Sequence, residues 1–306
     1  MNIRISVIIA TRNRANYLKK VIGSLAHQTV PSMEYEIIVV DNDSHDNTKS
    51  VLEEFSYLEN LRVIFEPVIG LSKSRNSGWK SAKGEYIAFI DDDAVANPNW
   101  LEKYIEAFDQ LGDNIGLIGG RVELIWEAPK PDWLPTELLG IFSSYHYSDN
   151  PVALKKDQWL SACNLAIRKQ LLSAAHGFRE DLGRKGSTLL ASEESYLRNQ
   201  IDKWDLLSYY YPDIIVHHHV NVNKLTKKWF QNAAYWQGKS QAIILNPTGQ
   251  PLKLAEKVKL SVKRALWITP RVFLMLFTTN SANRYRRWFQ LIETTGYVVG
   301  LFSTSD

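Results

Sequence analysis

The first ninety residues alternate short apolar runs with amphipathic segments. The apolar runs cover residues 5–10, 35–41, 62–66 and 86–91, so that a new run begins every 24 to 30 residues. The segments between them have apolar positions at helical spacing. Strands that alternate with helices of this length are typical of βαβ units. The pattern therefore predicts an α/β fold with a doubly wound, mostly parallel sheet flanked by helices.

Polar side chains follow three of the predicted strands. These clusters occupy residues 11–14 (TRNR), 41–44 (DNDS) and 91–93 (DDD). In open α/β sheets, ligands bind at the carboxyl ends of the strands, and we therefore expect the three clusters to meet at one crevice. Three adjacent carboxylates also require a positive partner, because packing like charges together raises their energy.

The acidic triplet Asp91, Asp92 and Asp93 suggests a divalent cation as that partner. Neither GxGxxG nor GxxxxGK[ST] occurs in the chain, which argues against a dehydrogenase or a P-loop enzyme. Without a glycine-rich cradle, a bound diphosphate needs another source of positive charge, and Mg²⁺ or Mn²⁺ prefers carboxylate and phosphate oxygens. The alternative is an acidic turn that caps the helix predicted to start at Pro98.

The composition is that of an ordinary globular protein. The 306 residues are 45% hydrophobic and 23% charged, enough for one large domain or for a domain with an appendage. Cys163 is the only cysteine, which excludes an intramolecular disulfide and favours a reducing compartment. The N-terminal apolar core, SVIIA, is too short for a signal peptide, and no run approaches a spanning helix. We therefore expect a cytoplasmic location.

The net charge of +3 conceals a strongly basic segment. Residues 221–290 contain 13 Lys and Arg but a single acidic residue, Glu256, whereas residues 1–220 contain 23 basic and 30 acidic residues. An apolar stripe crosses this segment at four-residue spacing, and lysines lie largely off the stripe. The stripe residues are Leu254, Val258, Val262 and Leu266, and the basic residues are Lys257, Lys259, Lys263 and Arg264.

A helix of this kind is suited to the surface of an anionic membrane. We therefore expect residues 221–290 to hold the protein peripherally on the inner face of the cytoplasmic membrane. The alternative is a helix that packs on the rest of the protein or on a second subunit. Nucleic-acid binding would rest on the basic segment alone, and we do not expect it. The sequence does not indicate the oligomeric state.

Four segments resemble inverting family 2 glycosyltransferases of the GT-A fold. They are SVIIATRNRANYLKKVIGSLAHQ, EIIVVDNDSHDNT, GLSKSRNSGWKSAKGEYIAFIDDDA and LGRKGSTLLASEESYL, and the resemblance spans about residues 3 to 240. It implies a catalytic domain over residues 1–240, with a nucleotide-sugar half (1–115) and an acceptor half (116–240), followed by a basic helical extension (241–306). It also implies Mn²⁺- or Mg²⁺-dependent transfer from a nucleotide sugar, such as a UDP-sugar, to a saccharide or lipid-linked acceptor.

The resemblance also assigns roles to individual residues. The residues expected to bind the nucleotide sugar are Thr11, Arg12, Asp41, Arg75, Asp91 and Asp92. Those expected at the metal are Asp93 and Asp91, together with His218 or His219. Arg12 stands where the family commonly has a tyrosine, and a guanidinium plane can also stack on a base.

The acceptor side should supply a carboxylate that removes the proton of the attacking hydroxyl. The segment ASEESYL matches the family's paired acids, which points to Glu194 as the base and to Glu193 as the fallback. An acidic pair that stabilises a helix N-terminus is the alternative for both residues. Residues 217–219 are three histidines at the end of a predicted strand, so that His217 and His219 face one way and His218 the other.

Two other readings of the whole protein stay open at this point. A nucleotidylyltransferase also uses an α/β sheet, aspartates and Mg²⁺, but it normally has a glycine-rich loop after the first strand, and ATRNRANY contains no glycine. A non-catalytic sugar-binding protein derived from the same fold would be expected to lack the aspartate triplet or the acceptor-side acid.

Overall fold

The parallel half of the sheet matches the alternation in the sequence. The computed structural model of the protein describes residues 3–246 and 252–303. Its first elements are β1 (Ile5–Thr11), α1 (Ala15–Leu25), β2 (Tyr35–Asp41), α2 (Thr48–Glu54), β3 (Leu61–Phe65), α3 (Leu71–Ser81) and β4 (Tyr86–Ile90). The four strands are parallel, in the order β3-β2-β1-β4. Thr11 lies opposite Asp41 in this register, so two of the polar clusters are adjacent at the strand ends.

Beyond β4, antiparallel pairing enters the sheet. The later elements of this part are β5 (Ala94–Ala96), α4 (Trp100–Leu111), β6 (Ile115–Trp126), β7 (Val152–Ala153), β8 (Asn164–Arg168), α5 (Lys169–Ala174), α6 (Glu193–Ile201) and β9 (Leu207–Val220). Within the described residues the sheet has the order β3-β2-β1-β4-β8-β6-β9-β5, and β7 pairs with β9. β8 runs antiparallel to both β4 and β6. The α/β fold is thus confirmed, but parallel pairing is observed only as far as β4.

Both faces of the central strand β1 are buried, as its continuous apolar run requires. Val7 and Ile9 of β1 belong to one apolar cluster, which includes Trp100 of α4. Ile8, which points to the opposite face, belongs to a second cluster with Trp79 of α3. Each such side chain stabilises the fold by roughly 1.5–3 kcal/mol when fully buried. The chain therefore has little freedom to shift the strands that carry the polar clusters.

The predicted start of α4 needs a small correction. The sequence places it at Pro98, whereas the first helical residue is Trp100 and Asn99 caps the helix. The backbone N–H of Trp100 donates to the Asn97 carbonyl at 3.0 Å, so Pro98 lies within a turn that leads into the helix.

Asn164 connects four elements in the antiparallel part of the sheet. Its side-chain oxygen accepts hydrogen bonds from the Trp100 indole N–H at 2.8 Å and from the Tyr104 hydroxyl at 2.7 Å. Its amide nitrogen donates to the carbonyls of Arg121 and Ile214 at 2.9 and 2.8 Å. The residue is fully buried, and these four bonds fix the start of β8 against α4, β6 and β9.

The chain divides into two compact units. One contains the sheet and comprises residues up to 125 together with 142–181 and 193–219, and the other comprises residues 126–141, 182–192 and 220 onward. The second unit contains α7 (Lys227–Ile244), α8 (Leu254–Leu276) and α9 (Ser281–Phe302). Residue 240, the domain boundary implied by the family resemblance, lies within α7, and that division stays a prediction. Among the described residues, no helix combines the length and the apolarity needed to cross a bilayer.

Two glycines let α7 and α9 approach closely within the second unit. A Cβ atom added to Gly238 would lie 1.8 Å from the Glu293 carbonyl oxygen, and one added to Gly296 would lie 1.9 Å from the Tyr235 carbonyl oxygen. Both distances are far below any real contact, so the two backbones meet where the side chains are absent.

Replacing Asn164 by alanine should destabilise the protein by about 3 kcal/mol or more, because four buried partners lose their hydrogen bonds. Tyr104→Phe is the matched control, since it removes one of the four bonds, keeps the ring and should cost about 1 kcal/mol. Urea unfolding followed by tryptophan fluorescence measures both. Similar losses for the two variants would contradict the role assigned to Asn164.

Candidate functional site

Arg14 neutralises two carboxylates of the acidic triplet. Its Nη1 lies 2.9 Å from Asp92 Oδ1 and 2.8 Å from Asp93 Oδ2. The Thr11 hydroxyl also donates to Asp92, at 2.9 Å. Burial raises the pKa of the Asp92 carboxyl; Arg14 opposes this rise, whereas Asp93 adds to it. The loop after β1 is thereby bound to the loop after β4, as expected for clusters that share one sheet edge.

The triplet does not serve as the cap of α4. Asn99 occupies the capping position, and its side chain makes no capping hydrogen bond. The carboxylates of Asp92 and Asp93 instead bond to Arg14, and that of Asp91 bonds to Arg75. The geometry therefore argues against the alternative in which these aspartates cap α4.

Arg75 of α3 joins the triplet to the paired acids of α6. Its Nη2 lies 2.9 Å from Asp91 Oδ1, and its Nη1 lies 2.6 Å from Glu193 Oε1 and 3.7 Å from Glu194 Oε1. The Arg75 side chain is only 4% exposed. Burial alone would lower the pKa of Arg75, but Asp91 and Glu193 raise it above its ordinary value. Arg75 is therefore a permanent positive charge at the centre of the cluster.

Glu194 is an acid of the cluster whose pKa is raised to near neutral pH. Burial and the neighbouring Glu193 charge raise the pKa of Glu194 to about 7, against the opposing effect of Arg75. Its Oε1 accepts a hydrogen bond from the Ala162 backbone N–H at 3.1 Å. The Glu194 side chain is 16% exposed and that of Glu193 is 4% exposed. Of the pair, Glu194 is thus the more accessible carboxylate and the one able to exchange a proton near pH 7.

The three histidines of β9 alternate in direction, as the strand pattern predicts. The ring of His219 packs against Tyr17 with 5.5 Å between centroids. The ring of His218 points to the triplet, with Nε2 3.0 Å from Asp93 Oδ1. The side chain of His218 therefore lies beside the aspartates, and a metal role for either histidine stays a prediction.

The hydrogen bonds of His218 suit a metal ligand. Its Nδ1 lies 2.8 Å from the Phe142 carbonyl oxygen, which can only accept, so that Nδ1 carries a proton. In the neutral ring, Nε2 then presents a lone pair toward the Asp93 carboxylate, 3.0 Å away, so that one divalent cation could be shared by the two groups. Ligating histidines commonly donate their other N–H to a backbone carbonyl in this way.

Cys163 extends the potential ligand set beyond the predicted residues. Ligand atoms of Asp91, Cys163 and His218 all lie within 4.8 Å of one another. An oxygen, a sulfur and a nitrogen donor at such distances fit a divalent cation, and the sulfur favours softer ions than Mg²⁺. Sequence reasoning used Cys163 only as an indicator of compartment. Its place near the triplet comes from the pairing of β8 with β4, for which the sequence has no signal.

Of the residues expected at the nucleotide sugar, Thr11, Arg12 and Asp41 lie around the ends of β1 and β2. Asp41 Oδ1 accepts from the Ser44 backbone N–H at 3.0 Å, and the Asn13 backbone N–H donates to the Ser44 hydroxyl at 3.0 Å. The two loops are therefore tied together beside Thr11. Arg12 is half-buried, and its Nε is buried without a hydrogen-bond partner in the described part of the chain. A buried guanidinium nitrogen with unused donor capacity is available to a ligand.

Arg14 is the second residue that the predicted set omitted. It belongs to the TRNR cluster, but the roles taken from the resemblance stopped at Arg12. A rule that looks for a cation near every group of adjacent carboxylates would have drawn attention to Arg14.

Comparison with known proteins identifies the family. Residues 6–173, more than half of the chain, match the model of the family described as Glycosyl transferase family 2. The chain belongs to glycosyltransferase family 2. Among curated relatives of this glycosyltransferase chain, Glycosyltransferase AglE of Haloferax volcanii is 35% identical over 124 residues. That match spans 40% of this chain and 40% of the relative.

Solved structures extend the likeness to nearly the whole chain. The crystal structure of Staphylococcus aureus TarS 1–349 in complex with UDP has a TM-score of 0.57 at 19% identity, covering 97% of this chain and 90% of that one. Mannosyltransferase PcManGT from Pyrobaculum calidifontis, in complex with GDP-Man and Mn²⁺, has a TM-score of 0.62 at 17% identity, with coverages of 99% and 88%. At these identities the likeness concerns the fold, and the expected GT-A architecture of this family 2 member is confirmed.

Loading the protein with Co²⁺ should reveal whether Cys163 is a metal ligand. We expect a near-ultraviolet thiolate-to-cobalt absorption band in the natural protein and its loss in Cys163→Ser, because a coordinating thiol is deprotonated. The assignment is unambiguous, since the chain has one cysteine. His217→Ala, which changes a histidine directed away from the triplet, should keep the band. Co²⁺ binding without the band in the natural protein would exclude Cys163 from the ligands.

Proposed function

We propose that this chain is an inverting, metal-dependent glycosyltransferase that transfers a sugar from a nucleotide-sugar donor to a hydroxyl group of a saccharide or lipid-linked acceptor. The observation that carries the proposal is the accessible Glu194 carboxyl, whose pKa is about 7, beside an Arg75-centred cluster of aspartates at the strand ends. The carboxyl supplies a base for the acceptor, and the aspartates would hold the cation that binds the diphosphate of the donor.

Glu194 removes the proton of the attacking hydroxyl. The acceptor oxygen forms its bond to the anomeric carbon while the bond from that carbon to the diphosphate oxygen breaks on the opposite face. The electron pair of the broken bond leaves with the nucleoside diphosphate, and the proton goes to a Glu194 carboxylate oxygen. Glu193 is a poorer candidate for this role, because Arg75 holds it at 2.6 Å and its side chain is almost inaccessible.

Arg75 orders the two sides of the site. It bonds to Asp91 and Glu193 at once, which fixes the start of α6 relative to the end of β4. A base held in this manner stays at one distance from the donor region, and such positioning is a main source of enzymatic rate enhancement. Arg14 performs the corresponding task for Asp92 and Asp93.

A divalent cation, Mn²⁺ or Mg²⁺, would be held by Asp93, Asp91 and His218, with Cys163 as a further donor. When bound, it neutralises the charge that develops on the leaving diphosphate. The Mn²⁺ present in the PcManGT complex supports a cation of this type. The sulfur and imidazole donors favour Mn²⁺ over Mg²⁺.

We assign the nucleoside to Thr11, Arg12 and Asp41. Arg12 has a buried donor available for hydrogen bonding, and Asp41 lies opposite Thr11 at the strand ends. We assign a UDP-sugar as the donor, supported by the UDP bound in the structurally similar TarS. Release of nucleoside diphosphate from a panel of UDP-, GDP- and CDP-sugars, with Mn²⁺, Mg²⁺ or EDTA, tests both assignments. Release from no donor under any of these conditions would overturn the proposal.

The rate of transfer should rise with pH and level off above about pH 7. Only the ionised Glu194 accepts a proton, so that kcat/KM should fall about tenfold per pH unit below its pKa. Glu194→Gln should bind the donor but transfer at least about 100-fold more slowly. Glu53→Gln, at an exposed position on α2, is the control and should change neither quantity. Normal turnover by Glu194→Gln would assign the base elsewhere.

The same pKa predicts how stability changes with pH. The Glu194 carboxyl has an ordinary pKa of 4.5 and a folded value of about 7, so the native state holds the proton more tightly. Its contribution to stability is thus fully present below about pH 4.5 and is lost as pH rises to about 7. Glu194→Gln should therefore gain stability relative to the natural protein at pH 8, by up to about 3 kcal/mol, and little at pH 4.5. Equal differences in urea unfolding at both pH values would contradict the shift.

Asp93→Asn should weaken the binding of UDP with Mn²⁺ by at least about tenfold, because a charged ligand becomes neutral while the shape is retained. The amide is preferred to alanine, since Asp93 is buried between Arg14 and His218 and its removal would also disturb the fold. Calorimetry with and without Mn²⁺ measures the effect, with Asp213→Asn, an exposed aspartate of β9, as control. An unchanged Mn²⁺ dependence would remove Asp93 from the metal site.

A further inference from the structure

Helix α8 exposes an apolar stripe along its length. The four residues at four-residue spacing and the two phenylalanines that follow have large exposed fractions. These are Leu254 (69%), Val258 (47%), Val262 (52%), Leu266 (71%), Phe273 (60%) and Phe277 (70%). Contiguous exposed apolar surface of this kind indicates an interaction site.

A different face of α8 makes the contacts with the rest of the second unit. Ile268 is 6% exposed, and Leu260 packs on the apolar cluster that includes Tyr297 of α9. Arg264 lies 3.7 Å from Glu293 of α9, which places it on the packed side as well. Packing of α8 on the rest of the second unit therefore explains the burial of these residues. It leaves the apolar stripe uncovered within that unit.

Basic side chains border the stripe. Lys259 and Lys263 are exposed and lie one position beyond Val258 and Val262. Because side chains four residues apart share a helix face, the two lysines form a parallel row beside the apolar one. A row of apolar residues flanked by lysines matches the boundary between acyl chains and headgroups.

A basic cavity lies at the C-terminal end of α8. It has a volume of about 470 Å³ and is lined by Pro270, Arg271, Leu274, Arg286, Arg287 and Gln290. Leu274 is itself 50% exposed. Arg286 lies 3.5 Å from Glu137, and Arg271 stacks on Trp267 at 3.8 Å. Three guanidinium groups around one cavity present donors that suit a phosphate group.

We propose that α8, with this arginine-lined cavity, docks the protein on the surface of an anionic lipid bilayer. The stripe enters the acyl boundary, the lysine row lies at the headgroups, and the cavity receives a lipid phosphate. Charge complementarity favours this occupant over a second copy of the chain, which would bring the same basic row to the interface. Residues 221–290 contain 13 basic residues and one acidic residue, so the wider segment has the same preference.

Sedimentation of the full chain with vesicles tests the docking. We expect binding to vesicles of phosphatidylcholine with phosphatidylglycerol and much weaker binding to phosphatidylcholine alone. Lys259→Glu with Lys263→Glu should weaken binding by at least about 30-fold, or about 2 kcal/mol, since each basic residue near the surface contributes about half of that. Arg271→Gln with Arg286→Gln should weaken it in the same direction. The matched charge control is Lys80→Glu with Lys83→Glu, two exposed lysines of the first unit.

High salt separates the apolar contribution to vesicle binding from the electrostatic one. At about 0.5 M NaCl electrostatic attraction is strongly screened, and the binding that persists should be lost in Val262→Asp with Leu266→Asp. The control is Met33→Asp with Tyr57→Asp, at exposed apolar positions of the first unit.

Three results would overturn the proposal: no binding of the natural protein to anionic vesicles at low salt, equal binding to neutral vesicles, or an equal loss in the charge control. Light scattering tests whether the stripe serves self-association instead. That would be the outcome if the natural protein formed a dimer but did not bind vesicles, and if Val262→Asp with Leu266→Asp abolished the dimer. None of these measurements uses a donor sugar, so their outcome is independent of the proposed activity.

Discussion

The buried guanidinium of Arg75 is the constraint on which the candidate site depends. A charge that is 4% exposed is stable only when carboxylates compensate for its lost hydration, and Asp91 and Glu193 do so from two different elements. Glu193 is the first residue of α6, and Asp91 directly follows β4. Removing Arg75 would therefore release the two halves of the site from each other and leave buried carboxylates without compensation. Such a loss commonly costs several kcal/mol.

The charges of the cluster do not balance. Five carboxylates, those of Asp91, Asp92, Asp93, Glu193 and Glu194, face two arginines, Arg14 and Arg75. Full ionisation would leave the cluster negative in a poorly hydrated region, and the protein responds where it can: the pKa of Asp92 and that of Glu194 are both raised. The same excess of negative charge attracts a cation. Proton retention by Glu194 and affinity for a divalent ion thus have one electrostatic origin.

Much of this arrangement could be predicted from the sequence, because strong periodicity determines the first four strands and because strand ends in parallel sheets share an edge. The crevice and the acidic triplet follow from these two rules, whereas strand alternation predicts only that His218 faces opposite to His217 and His219. Of the antiparallel strands, the sequence predicts β9, which carries the three histidines near its end. β5 and β7 could not be predicted, since they have three and two residues and no helix alternation marks them. Arg14 and Cys163 were missed because their importance comes from neighbours distant in sequence: Arg14 meets residues 78 and 79 positions away. Single residues at turns have no periodic signal.

The glycine contacts between α7 and α9 restrict how this protein can vary. Each residue of an α-helix advances about 100° around the axis, so inserting or deleting one residue before Gly238 would turn a neighbouring side chain toward the Glu293 carbonyl. A Cβ atom would then occupy the space beside the Glu293 carbonyl, where only a glycine fits. Substitutions on the outer faces of these helices meet no such limit. We therefore expect natural variants of the second unit to differ in surface composition while they keep the spacing of residues within α7 and within α9.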